Sequence, residues 1–225
     1  MSGKLFIVAT PIGNLKDITF RAIETLKAVD LIACEDTRHT KKLLSHYGIT
    51  NPTTSYFEHN KVKKAEYLAR LLNEGRQVAL VSDGGMPGIS DPGFKIINLA
   101  IENNIPVAVI PGPCALVAAI VQSGMPTDSF VFQGFLSRKK AKRRRQLENL
   151  RYETRTMVFY ESPHRFLKTL GDILDILGDR EIAIARELTK VFEEILRSKV
   201  SGAIEHFTRK PPRGEFVLIL RGNSK

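Results

Sequence analysis

With 225 residues the chain is long enough to bury one large core or two of about 110 residues each. Its 43% hydrophobic and 26% charged residues exclude a disordered chain. A formal charge of +10 and a pI near 9.7 favour polyanionic partners, nucleic acid among them, or else serve solubility. Strand-like runs at 5–9, 31–34, 53–57, 77–81 and 107–110 alternate with helix-like runs at 18–29, 37–47, 61–73 and 92–103. That alternation predicts a mostly parallel sheet with helices on both faces, whose ligands gather at the carboxyl ends of the strands. Three loops rich in Gly and Pro, at 11–14, 82–91 and 111–115, each follow directly on a predicted strand.

A second unit is expected to begin after residue 123, giving domains at 1–123 and 124–225. Its strands are expected at 130–136, 156–160, 181–185, 191–196 and 216–220, with helices at 139–150 and 165–177. Two strands in close succession around 186–190 predict a hairpin and therefore a mixed sheet. Cys34 and Cys114 lie far apart without metal-ligand spacing, so no disulfide framework or metal site is expected and a reducing, cytoplasmic setting fits. The five-residue apolar run near the N-terminus is too short for a signal peptide, and Pro and Gly interrupt the longest uncharged run, so no membrane span is expected.

The segment LVSDGGMPGISDPG at 80–93 carries four glycines, two prolines and two aspartates directly after a strand. Gly lets a ligand approach the backbone, Pro presets the shape of the loop, and Asp can hold a hydroxyl or a charged group. A tight strand-to-helix turn is the plainer reading. ACEDTR at 33–38 places Glu35, Asp36 and Arg38 at a strand end, where Asp36 or Thr37 is also a natural helix cap. Ser162, in ESPHR at 161–165, is a second expected cap. Seven cations fill eight positions from Arg138 to Arg145, at a helix start where the macrodipole disfavours them. A phosphate backbone would favour that run, while a solvated basic face is its bland alternative. Phe132 and Phe135 nearby are either base-stacking aromatics or core residues. No catalytic triad order, phosphate-binding lysine loop or GxGxxG fingerprint is present.

Taken in order, VATPIGNLKD (8–17), ACEDTRHT (33–40), EHN (58–60), LVSDGGMPGISDPG (80–93) and IPGPCA (110–115) resemble the tetrapyrrole methylase family, in its branch of small-subunit ribosomal RNA methyltransferases. GFLSRKKAKRRR (134–145), YESPHR (160–165), RELTK (186–190) and GEFVL (214–218) extend the resemblance through the second half. The resemblance implies two α/β domains, an N-terminal mostly parallel sheet and a C-terminal mixed one, with an S-adenosylmethionine cleft between them. It implies a cytoplasmic homodimer that acts on 16S rRNA or the small ribosomal subunit, methylating a cytidine ribose 2'-hydroxyl in the decoding region. Cofactor contacts are then expected at Pro11, Asp83, Gly84, Gly85, Met86, Pro87, Cys114, Ala115, Ser162, Pro163, Leu188 and Gly214. RNA contacts are expected at Arg138, Lys139, Lys140, Lys142, Arg143, Arg144 and Arg145. Glu35 or Asp36 would be the catalytic base, with Arg38 orienting ribose or phosphate.

Gly84, Met86, Cys114 and Ser137 stand where Ala, Thr, Ser and Pro are usual in that family. The sequence also stops soon after Gly222, short of a C-terminal extension that many members carry, so RNA contacts made there are expected to be missing. Two other readings remain. One is a methyltransferase of the same fold acting on a tetrapyrrole or other small molecule; the other is a non-catalytic RNA-binding protein.

Overall fold

Side-chain alternation along the strands of the N-terminal half decides which helices each sheet face meets. The computed structural model describes residues 3–223 and divides at Cys114/Ala115 into two units. In the first, β1 (Lys4–Val8), β2 (Leu31–Cys34), β3 (Thr53–Ser55), β4 (Gln77–Val81) and β5 (Val107–Ile110) form one sheet in the order β3-β2-β4-β1-β5. Every pairing in it is parallel. The helices α1 (Phe20–Ala28), α2 (Thr37–His46), α3 (Lys61–Asn73) and α4 (Phe94–Glu102) alternate with the strands. Leu5, Ile7, Ala33, Val78 and Leu80 pack with Leu68 and Leu72 of α3 and Ile96 of α4 on one face. Val8, Ile32, Cys34, Ala79 and Val81 pack with Leu26 of α1 and Leu44 of α2 on the other. Because all five strands run the same way, the loops that follow them emerge at a single edge of the sheet.

The second unit contains α5 (Ala115–Ser123), β6 (Phe130–Phe135), α6 (Lys140–Glu148), β7 (Thr156–Glu161), α7 (Phe166–Leu177), β8 (Glu181–Arg186), β9 (Glu194–Lys199), α8 (Val200–Arg209) and β10 (Phe216–Leu220). Its sheet runs β6-β7-β10-β8-β9, with β6 parallel to β7 and every other pairing antiparallel. One face buries Met157, Phe159, Ile184 and Leu218 with Leu147 of α6, Phe166 and Leu170 of α7, and Phe207 of α8. Helix α5 packs on β8, β9 and β10 and so belongs to this unit, ahead of the boundary expected at 123/124.

Three local expectations differ from the structure. The hairpin exists, but its second strand starts at Glu194, and Val191 and Phe192 sit exposed in the connecting loop. Positive φ at Glu187 and Thr189 turns the chain there and lengthens the loop. Helix α7 begins at Phe166 after a turn, with no side-chain cap, and the Ser162 N–H donates instead to Glu161 Oε1. Helix α8 follows β9 without a loop and was not expected from the sequence.

Candidate active-site loops and a basic helix

In the first unit the loop after β4 is held in place from several sides. Thr10 and Gly85 exchange backbone hydrogen bonds of 3.0 and 2.9 Å, joining the loop after β1 to the loop after β4. The Thr10 hydroxyl donates to the Ser82 carbonyl at 3.1 Å. The Asp36 N–H donates to Asp83 Oδ1 at 3.0 Å, which ties in the end of β2. Buried Tyr56, just past β3, donates its hydroxyl to the Pro92 carbonyl at 3.2 Å. Asp91 Oδ1 accepts from the N–H groups of Gly88 and Gly93 at 2.7 and 2.8 Å, closing the loop on itself.

Two glycines let this loop pack closely against its neighbours. A Cβ on Gly84 would come within 3.3 Å of the Pro11 carbonyl. Gly85 has a φ of +89°, and a Cβ there would point at Ile12 and the Pro113 carbonyl. The structure therefore brings Pro11, Asp83, Gly84, Gly85 and the segment before Cys114 to one edge of the sheet. Pro11, Gly85 and Pro87 are buried, Asp83, Met86 and Cys114 are half-buried, and Gly84 is exposed. Loops that hold their backbone in place by internal hydrogen bonds present a preformed surface, which lowers the ordering cost of binding.

The carboxylates at the end of β2 differ in character. Asp36 caps α2 by accepting from the Arg38 N–H at 2.8 Å, and that bond holds it below the usual carboxylate range. Glu35 is half-buried, and burial, followed by repulsion from Asp83 and Asp91, raises its proton affinity. The Arg38 side chain is 91% exposed and reaches Asp36 at 3.6 Å.

In the second unit, Glu161 at the end of β7 is buried and fully engaged. It accepts from the Ser162 N–H at 2.7 Å and the Thr169 hydroxyl at 2.6 Å, and pairs with Arg165 at 2.6 Å. This network fixes the turn that carries Ser162 and Pro163. Leu188 is buried in the β8–β9 loop, where the Glu187 carboxylate accepts from Lys190 and from the Glu215 N–H, each at 2.9 Å. Gly214 has a φ of +88°, and a Cβ there would overlap the Glu187 side chain. Substitution Gly214→Ala combines that overlap with a disfavoured backbone. It is expected to cost about 1–3 kcal/mol, read as a lowered midpoint in chemical denaturation.

The basic segment is two-sided, and this corrects part of the expected RNA-binding set. Arg143 is only 4% exposed, and its guanidinium grips Asp172 of α7 at 2.6 and 2.7 Å. Arg144 bridges Asp172 and Asp175 at 2.7 and 3.0 Å. Arg143 is therefore an anchor of α6 and unavailable to RNA, and Arg144 is largely committed to the same task. Arg138, Lys139, Lys140, Lys142 and Arg145 remain exposed. An open depression along α6 is lined by Ala141, Lys142, Arg145, Gln146 and Asn149.

Among the described residues, no group of three or more His, Cys, Asp or Glu side chains could hold a metal ion, and no helix is long and apolar enough to cross a membrane. The profile of the Tetrapyrrole (Corrin/Porphyrin) Methylases matches residues 4–203. The chain belongs to that family.

A Thermotoga maritima protein named ribosomal RNA small subunit methyltransferase I is 53% identical over 220 residues, 98% of this chain and 99% of its own length. A Halalkalibacterium halodurans protein of the same name is 52% identical over 99% of this chain and 77% of its own. The fold also matches solved structures. A cobalt precorrin-4 methyltransferase covers 97% of this chain and 94% of its own at 16% identity and a TM-score of 0.73. The uroporphyrin-III C-methyltransferase of Thermus thermophilus, solved with S-adenosyl homocysteine, covers 97% of both chains at 18% identity and a TM-score of 0.68. The family membership and these relatives make the chain a methyltransferase of the α/β tetrapyrrole methylase fold.

Proposed function

We propose that this methyltransferase uses S-adenosylmethionine to methylate the ribose 2'-hydroxyl of a cytidine in the decoding region of 16S rRNA. The observation that carries this reading is the 53% identity, over 98% of this chain and 99% of the other, to a protein named as a small-subunit ribosomal RNA methyltransferase. The exposed cations at 138–145 support it over a tetrapyrrole substrate, because they run along the surface as a phosphate backbone does.

Gly84 and Gly85 let the loop after β4 pack tightly against the loops after β1 and β5, which preorganises the edge of the sheet where the cofactor would lie. Pro11, Asp83, Gly84, Gly85, Met86, Pro87 and Cys114 are the residues assigned to it from the first unit. Ala115, Ser162, Pro163, Leu188 and Gly214 are assigned from the second. When bound, S-adenosylmethionine supplies an electrophilic methyl group on a positively charged sulfur.

The residues of the chain then have two tasks. A ribose hydroxyl is weakly acidic, so a group must accept its proton as the oxygen attacks. Of the two carboxylates at the end of β2, Glu35 suits that role better: its proton affinity is raised, whereas the Asp36 carboxylate is occupied as a helix cap. Arg38, exposed beside them, would orient a phosphate or ribose. The second task is alignment, which preorganised loops supply by holding the reactants in one geometry.

Incubating the protein with methyl-labelled S-adenosylmethionine and small ribosomal subunits from cells lacking the modification tests the substrate. Label in 16S rRNA is expected. Label absent from RNA but present in a tetrapyrrole offered in its place would overturn the reading.

A further inference from the structure

The spacing of Phe132 and Phe135 would put their side chains on opposite faces of a regular strand, since alternate residues point opposite ways. A bulge prevents this. In the pairing of β6 with β7, Phe132 lies opposite Val158 and Gly134 lies opposite Phe159, so Gln133 is the extra residue. Gly134 adopts a φ of +61° at that point. The register then resumes with Phe135 opposite Tyr160. Phe132, Phe135 and Tyr160 thus share one face, opposite the side that buries Met157 and Phe159.

The three rings touch. Phe132 and Phe135 meet Tyr160 edge-on, with centroids 5.0 and 5.5 Å away. The Tyr160 hydroxyl accepts a hydrogen bond from the Leu116 N–H at the start of α5, which fixes its ring. Phe135 is 51% exposed, although aromatic side chains usually bury most of their area. Helix α5 packs mainly on β8, β9 and β10 and reaches Tyr160 through its first turn, while Phe135, on the edge strand β6, stays half-exposed. Directly after Phe135 come buried Leu136 and then Arg138, Lys139 and Lys140, all exposed. A half-exposed ring, buttressed by a second ring and followed within five residues by three exposed cations, suits a ligand with flat faces and a polyanionic backbone.

We infer that Phe135, supported by Tyr160 and Phe132, is a stacking platform for an unpaired nucleobase of a single-stranded RNA segment whose phosphates lie along the exposed cations of α6. The inference rests on the RNA substrate proposed above and assigns it a contact surface. The bulge at Gln133 and Gly134 is the device that makes it: without the extra residue, Phe135 would turn toward the core side. Base pairing removes the exposed faces that stacking needs, so the platform discriminates against duplex RNA.

The chain contains no tryptophan, so Phe135→Trp introduces a single tryptophan at the platform, excited selectively over the five tyrosines. The full-length variant is titrated with a short single-stranded oligocytidylate and with a duplex of equal length. Saturable quenching by the single strand, and much weaker quenching by the duplex, is expected. In the unlabelled background, Phe135→Ala is expected to weaken single-strand binding about 5- to 150-fold, the range for losing one stacked base, and Phe135→Leu nearly as much. Their salt dependence should match that of the parent. Alanine at Lys140 or Arg145 should instead reduce the salt slope by about 0.7 per cation.

Unchanged RNA affinity in Phe135→Ala together with no quenching in Phe135→Trp would overturn the platform. A shift in sedimentation of Phe135→Ala without any change in RNA binding would overturn it too, by making this face a contact between copies of the chain. Methyl transfer to ribosomal subunits is scored separately. Loss of the platform with labelled 16S rRNA leaves the proposed function standing, and quenching without labelled RNA does the reverse.

Discussion

Glu35→Gln is expected to lower kcat by between about 10²- and 10⁴-fold, the range over which a positioned general base contributes. The folded protein should not suffer. Burial, with added repulsion from Asp83 and Asp91, raises the proton affinity of Glu35, so the ionised carboxylate is held at a cost near neutral pH. A raised folded-state value means that Glu35 favours folding at pH below its unfolded value and loses that contribution as pH rises through the folded value. The neutral amide removes the cost, so the thermal midpoint of Glu35→Gln at neutral pH should equal or exceed that of the parent. In the parent, kcat should climb with pH as Glu35 ionises. In Asp91→Asn, which keeps an oxygen to accept from Gly88 and Gly93, that rise should move to lower pH. Asp36→Asn preserves a good helix cap and should retain most activity, whereas Asp36→Ala should cost about 0.5–2 kcal/mol of stability. Full turnover in Glu35→Gln would transfer the role of base elsewhere.

Asp172→Ala should destabilise the protein by about 3–5 kcal/mol, because it leaves the buried Arg143 guanidinium without its partner. Denaturant titration followed by circular dichroism reads it directly. The double replacement Arg143→Met, Asp172→Leu removes both charges together and should recover most of the loss. Burial opposes ionisation of Asp172, but the hydrogen bonds from Arg144 and Arg143 outweigh it and hold the carboxyl below its usual range. The ion pair therefore stabilises the protein above the unfolded carboxylate value and fades as pH falls through the folded one. A cost below 1 kcal/mol in Asp172→Ala would mean that α6 is held by its apolar contacts alone.

That pair also marks where the sequence ceases to be legible. A run of seven cations looks uniform in one dimension, and nothing local distinguishes Arg143 from Arg145. The difference comes from α7, 29 residues away, which places Asp172 beneath one of them. Helix α8 was missed for a similar reason. It starts directly after β9 with Lys199 at its cap position and no capping side chain of its own. Asp179, 22 residues upstream, supplies the cap by accepting from the Ser201 N–H and hydroxyl, each at 2.8 Å.

The parallel sheet was legible because β-branched and leucine runs of four or five residues were bounded by Gly, Pro and Asp. Strands β2, β4 and β5 match the sequence reading at both ends. The loop at 80–93 was legible as unusual from composition. What holds it was not, because its supports at Thr10, Asp36 and Tyr56 come from three different strand ends that only the fold assembles. The aromatic face at Phe135 was legible only as an alternative to core. A single extra residue in β6 reverses the direction in which a side chain points, and Gly134 was its only local sign.

The most direct measurement is to incubate small ribosomal subunits with the protein and methyl-labelled S-adenosylmethionine, digest the 16S rRNA, and identify any methylated nucleoside and its position by mass spectrometry. Labelled 2'-O-methylcytidine at one site in the decoding region is the predicted result. Label on a base atom, on another nucleoside, or on a small molecule with the RNA unlabelled would contradict the account.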